Sequence, residues 1–300
     1  MSRTVFFFTV LFLLGLLWGA SIPLTKIAVS SGHAPLGMVF WQLLVATVVL
    51  GIAALVRGSR LVIDRRHLFF FATVTIIGTI IPNSFSYMAA SRLPASVMAL
   101  VIALVPIFSL LVALVMRVER FAPRRAIGVV LGATAIAMLV LPQGSLPDPA
   151  KAGWVLIALI APFCYGMEGN YVATATPKGT GPVATLLGAS ITGLFLVTPM
   201  VIATDAYIDP MAGFGKVELA LLAVCLMHAA GYLTYIWMVG AAGPVFTAQV
   251  AYLVTPSGVL MSMVLLGEVP SPWLWAALAL LLVGLFLVQP KPETVVVPEV

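Results

Sequence analysis

Ten apolar runs, each long enough to cross a bilayer as a helix, leave this chain one kind of fold. They cover approximately 5–28, 34–56, 68–91, 95–116, 123–142, 153–175, 183–204, 217–240, 246–267 and 272–289. A helix needs about 20 apolar residues to span the hydrocarbon core, and backbone polar groups exposed to lipid are not tolerated there. The chain is 62% hydrophobic and 8% charged, too little charge to cover a water-facing surface. The expected fold is all-α and integral to the membrane. Connections are short and leave no room for a separate soluble catalytic domain. The first run is too long for a secretory signal and lacks a cleavage-site pattern, so it reads as a retained helix.

Part of the sequence occurs twice. Pro94, the pair Val105-Pro106, Glu119 and Pro123 are matched by Pro244, Thr255-Pro256, Glu268 and Pro272, with a one-residue slip before the glutamate. Trp18, Ser21 and Thr25 in the first run match Tyr165, Glu168 and Val172 in the sixth at the same spacing. Five helices per copy is an odd number, so tandem copies insert with opposite orientation. The expectation is two inverted five-helix repeats around a central cavity, 1–145 and 146–289, divided at the Pro/Gly-rich stretch 142–149. The tail 290–300 carries three prolines and no helical pattern, and is expected to be a disordered cytoplasmic segment.

The net charge of +5 reflects topology and does not imply a nucleic-acid partner. With the N-terminus inside, eleven of the fifteen Lys and Arg residues fall on the cytoplasmic side, among them Arg117, Arg120, Arg124 and Arg125 after the fourth run. Lys26, Arg92, Lys151 and Lys216 fall outside. This bias predicts cytoplasmic N- and C-termini. The loop after the ninth run, Gly267-Glu268-Val269-Pro270, has no basic residue, as an inverted second copy requires. Cys164 and Cys225 lie within apolar runs and read as small core residues.

Several of these features resemble the drug/metabolite transporter superfamily in its ten-helix EamA-type form. They are Leu17-Trp18-Gly19-Ala20-Ser21, the units 94–123 and 244–272, and Gly267-Glu268 before the last helix. The resemblance covers nearly the whole chain and is greatest to the aromatic amino acid exporters. It implies a small-molecule carrier in a bacterial-type inner membrane, working as a monomer without a cofactor. One departure is visible: the second run reads Trp41-Gln42-Leu43 where many members begin with an arginine, which leaves any charge role of that position in doubt.

Polar and aromatic stripes on otherwise apolar helices mark a candidate path. His228, Tyr232 and Tyr235 share one face of the eighth run at helical spacing. Gln249, Tyr252 and Pro256 do so in the ninth, and Thr79, Asn83 and Tyr87 in the third. With Trp18, Ser21, Tyr165 and Glu168 they form the candidate substrate site. Glu168 is the only carboxylate deep within a run, and an ionisable group there is costly unless it meets water, a partner or substrate. The alternative for Glu168 and His228 is an interhelical hydrogen bond, and for the rings ordinary packing. Trp41, Trp154 and Trp273 lie near helix ends and fit the interfacial belt. Proline frees a backbone carbonyl and bends a helix, so the repeated pair Pro106 and Pro256 reads as a hinge. Pro23, Pro82 and Pro162 suit curvature equally well. Gly128 and Gly132 permit close helix contact, within the chain or between copies.

A carrier of small amphipathic metabolites, amino acids including aromatic ones, fits this pattern. A multidrug exporter of lipophilic organic cations is the alternative, since one acid and many rings would serve it too. An intramembrane enzyme is the remote one. Ser21 and His228 sit on different helices with nothing to orient them, and the sequence has no His-Glu-x-x-His and no Gly-x-Ser-x-Gly.

Overall fold

The computed structural model describes residues 3–141, 146, 148–209 and 213–289. The proposed tail 290–300 and most of the divide at 142–149 lie outside the described residues. No strand occurs among the described residues. Among the described residues eight helical spans are long and apolar enough to cross a membrane, and two shorter apolar helices follow as the ninth and tenth. Spans one and two are α1 (Arg3–Ala28) and α2 (Pro35–Arg57). Span three is α3 (Arg65–Thr75) and α4 (Ile81–Arg92), joined through a π turn at Ile76–Ile80. Span four is α5 (Ala95–Ile102) and α6 (Val105–Val115), and span five is α7 (Pro123–Val140). Span six is α8 (Ala152–Ala158) and α9 (Ile160–Ala175), followed by α10 (Pro182–Ala203) and α11 (Lys216–Ala242) as spans seven and eight. Span nine is α12 (Pro244–Thr247) and α13 (Val250–Leu266), and α14 (Pro272–Val288) is span ten.

Local chemistry sets the ends. Proline opens α2, α7, α10 and α14, where its missing N–H has no helical partner to lose. Gly58 and Gly267 close α2 and α13 at φ 62° and 66°, a left-handed conformation that favours glycine. Asp64 accepts from the backbone N–H of His67 at the start of α3, which holds its carboxyl below the ordinary carboxylate value. Spans three, four, six and nine, each expected to carry a proline bend, are all interrupted. Pro82, Pro106 and Pro162 lie in the first turn of the segment after an interruption, where a residue without an N–H costs least. Pro23 and Pro256 instead lie inside the continuous helices α1 and α13.

The packing is symmetric under exchange of span n with span n + 5. Span one packs on nine and eight, and span six on four and three. Span two packs on eight, and seven on three. The pairs two and seven, four and nine, and five and ten are their own counterparts. Glycines at equivalent places make close crossings. A Cβ on Gly19 would lie 2.5 Å from Ser257 Cβ, and one on Gly166 2.7 Å from the backbone nitrogen of Ser109. A Cβ on Gly128 would lie 2.6 Å from the Gly284 carbonyl oxygen and one on Gly132 2.2 Å from Ile107, so both glycines are used by contacts within the chain. Between helices in lipid such van der Waals fit replaces the hydrophobic drive. Leu55, Val115, Phe195 and Val264 point outward and exposed, as lipid-facing side chains do.

Candidate functional site

The π turn in span three creates the centre of the site. Pro82 cannot return an N–H to the carbonyl of Gly78, and the wider turn at Ile76–Ile80 absorbs that loss. Gly78, within this turn, faces Glu168 of α9. A Cβ there would sit 2.7 Å from the carboxyl carbon and 2.9 Å from Oε1. The absent side chain at position 78 is what lets a carboxylate lie against the backbone of span three.

Glu168 borders a cavity of about 70 Å³ in the middle of the spans. Thr79, Ser190, Cys225, His228 and Tyr232 line it beside Gln42, and Leu43, Ala46, Leu186 and Ala189 supply apolar wall. No lysine or arginine borders it. The Nδ1 atom of His228 is buried without a hydrogen-bond partner among the described residues. A buried polar atom of this kind is uncommon and calls for a ligand or water.

A chain of hydrogen bonds lies beside the cavity. The hydroxyl of Tyr165 donates to Asn83 Oδ1. The Asn83 amide donates to Gln42 Oε1 at 2.9 Å, and the Tyr87 hydroxyl donates to the same oxygen at 2.6 Å. Along spans two, three and six these residues all sit nearer the face that carries Glu268 than most of the cavity does. The chain therefore ties three spans together on that side. Trp18 closes another wall. Its ring lies 5.7 Å from those of Tyr232 and Tyr235, and Gly231 gives it room, since a Cβ there would be 2.3 Å from Trp18 Nε1.

Of the residues singled out in the sequence, Thr79, Glu168, His228 and Tyr232 line the cavity together. Asn83, Tyr87 and Tyr165 adjoin it through Gln42. Trp18 reaches it through Tyr232. Tyr235 packs with Leu11, Leu14, Met238 and Val250. Ser21 is buried and donates to the Trp18 carbonyl of its own helix. Tyr252 packs against the main core, its hydroxyl buried without a partner among the described residues. Gln249 is exposed at the break in span nine. The sequence reading missed Gln42, Gly78, Ser190 and Cys225. Only Gln42 carried a signal, as the polar residue standing where similar chains have arginine.

A larger depression, of about 460 Å³, opens on the face that carries Glu268. Its charges are already engaged. The Lys26 amine donates to the carbonyls of Ala90 and Ser91, Lys151 pairs with Asp148, and the Arg92 guanidinium lies over the Trp154 ring.

Ten spans in two exchangeable halves around a polar intramembrane cavity define a membrane transporter rather than an enzyme. Residues 6–141 match the model of the EamA-like transporter family. A protein named "Probable terminal-alkyne amino-acid exporter", from Streptantibioticus cattleyicolor, is 25% identical over 285 residues, covering 91% of this chain and 89% of that one. A solved crystal structure 21% identical in sequence shares the fold, with a TM-score of 0.60 over 96% of this chain and 98% of its own. Residues 6–141 are thus an EamA-like transporter domain, and the similarity to the named exporter runs through both halves of the chain.

Proposed function

We propose that this transporter exports small amphipathic metabolites by alternating access, and that amino acids, aromatic ones among them, are its substrates. One observation carries the reading: Glu168 lies against glycine backbone in a mid-membrane cavity bordered by no lysine or arginine. An ammonium group matches that carboxylate in charge, and a charged hydrogen bond is worth most where water is excluded. Gln42, Thr79 and Tyr232 offer donors suited to a substrate carboxylate. The rings of Trp18, Tyr232 and Tyr235 suit an apolar or aromatic side chain. The exporter from Streptantibioticus cattleyicolor, named for an amino acid, supports the same class. The exchange symmetry of the packing supports alternating access, since each half can take its partner's shape. In this reading the halves are 1–145 and 146–289, the protein is a monomer of the inner membrane, and both termini are cytoplasmic. The Glu268 face is then external.

Export of lipophilic organic cations is the second reading, favoured by the same carboxylate and rings. Counterflow into proteoliposomes separates the two. Phenylalanine inside the vesicles is expected to accelerate saturable uptake of labelled phenylalanine, with tetraphenylphosphonium a poor competitor. Strong inhibition by the cation without amino-acid counterflow would favour the second reading.

A further inference from the structure

The repeated glutamates have no part in the cavity, yet they are treated differently by the two halves. Each leaves its helix by the same turn. The N–H of Glu268 bonds to the carbonyl of Ser262, and the N–H of Glu119 to that of Ala113, six residues back in both cases. From there the side chains diverge. Glu268 reaches the start of span four. Its Oε1 accepts from the backbone N–H of Ala95 at 2.6 Å, and its Oε2 from the N–H and hydroxyl of Ser96 at 2.9 and 2.6 Å. A carboxylate on the free N–H groups of a helix start is favoured by both charge and geometry. It pins the loop between spans nine and ten onto span four.

The counterpart of Ala95 and Ser96 in the second half is Val245 and Phe246, at the start of span nine. Among the described residues Glu119 makes no bond to Phe246. It pairs with Arg125 at 2.9 Å in an exposed position. The surroundings differ in the same sense. Residues 95–101 of α5 are all buried, and α5 packs on α13, α1 and α14. The equivalent α12 makes its main contacts with the preceding helix α11, and Ala248 and Gln249 just after it are exposed. The hydrogen-bond chain through Gln42 also lies toward the Glu268 face.

We infer that Glu268 and Glu119 are alternating latches. Glu268 ties span four to the loop after span nine in the conformation described here. When the halves exchange shape, it releases Ala95 and Ser96, and Glu119 leaves Arg125 to take the N–H groups of Val245 and Phe246, shutting the other face. Both are positioning residues, acting through helix starts and not on substrate. The inference rests on the alternating-access reading above, but its test does not need the substrate or the orientation.

The test uses the full chain in lipid nanodiscs, where both faces meet solvent. Cys164 and Cys225 are replaced by alanine, and Val97→Cys is added as a reporter; Val97 is 1% exposed and adjoins the latched N–H groups. Glu268→Gln is expected to raise the maleimide labelling rate by roughly tenfold, because one charge-assisted pair is weakened. Ser96→Ala should raise it less, and serves if the first variant fails to fold. Arg125→Gln should also raise labelling by freeing Glu119, and Glu119→Gln in that background should remove the rise. Unchanged labelling in folded Glu268→Gln and Ser96→Ala overturns the latch. So does a rise in Arg125→Gln that survives loss of Glu119. Counterflow of the unsubstituted protein in proteoliposomes tests the carrier reading separately: flux there with flat labelling in the variants sinks the latch alone.

Discussion

The first and second halves of this transporter share a packing plan but not the places where their helices break. Span four breaks at Ala103 and Leu104, so that Pro106 opens α6. Span nine breaks at Ala248 and Gln249, and its equivalent proline, Pro256, lies inside unbroken α13. Span three carries a π turn, whereas span eight is one continuous helix of 27 residues. Contacts between spans are thus set by the template, and the bends within spans by the conformation each half occupies. A structure with identical bends in both halves would be closed to both sides or to neither. In the alternating access proposed above, that difference would distinguish the two faces.

The largest effect is expected at the bend that only the first half has. Glu168→Gln should lower counterflow by about 10- to 100-fold, the loss of a charged hydrogen bond, with folded yield little changed. Gly78→Val should be at least as severe, because its side chain occupies the place of the carboxyl. Normal flux in folded Glu168→Gln would make the π turn a mere packing feature.

Paired substitutions probe what the halves share. Gly19→Val and Gly166→Val put bulk into equivalent crossings. Each is expected to cost about 1–3 kcal/mol of stability, read as a lower thermal midpoint in detergent. If one is tolerated and the other is not, the packing symmetry is only apparent.

The template was legible in the sequence, and the bends were not. Ten runs and a repeated Pro–Glu–Pro unit specify the helical spans because hydrophobic length and spacing are local properties. A proline announces a freed carbonyl but not where the helix yields. Pro82 and Pro256 look alike in the sequence, yet one follows a π turn and the other a regular helix. Glu168 stood out because a lone acid in an apolar run is conspicuous. Gly78 did not, since a glycine gains meaning only from the side chain that fills its place. Gln42 joins Asn83 and Tyr87 across two spans, a relation that exists only after packing.

Smaller effects should sharpen the contrast in the prolines. As a hinge pair, Pro106→Ala and Pro256→Ala are expected to shift labelling of Val97→Cys in opposite directions, each by a few-fold at most. The shift at Pro256 should be the larger, because alanine there restores a helix-interior N–H bond to the carbonyl of Tyr252. Shifts of the same sign would leave both as static kinks. The smallest effects concern the rings. Tyr232→Ala should weaken phenylalanine counterflow more than alanine counterflow, by about 0.5–1.5 kcal/mol. Tyr252→Ala, in the core, should lower both alike. A selective loss at Tyr252 would instead move the aromatic site toward span nine.

The contact between spans five and ten bears on how such a molecule can move at all. Gly128 and Gly284 meet backbone to backbone, with Leu131, Leu287 and Val288 packed beside them. Sliding or tilting there would open a void or force a backbone collision. In the alternating access proposed above, motion would then fall to the broken spans around the cavity, with the seam between five and ten as the pivot on which the rest of the bundle turns.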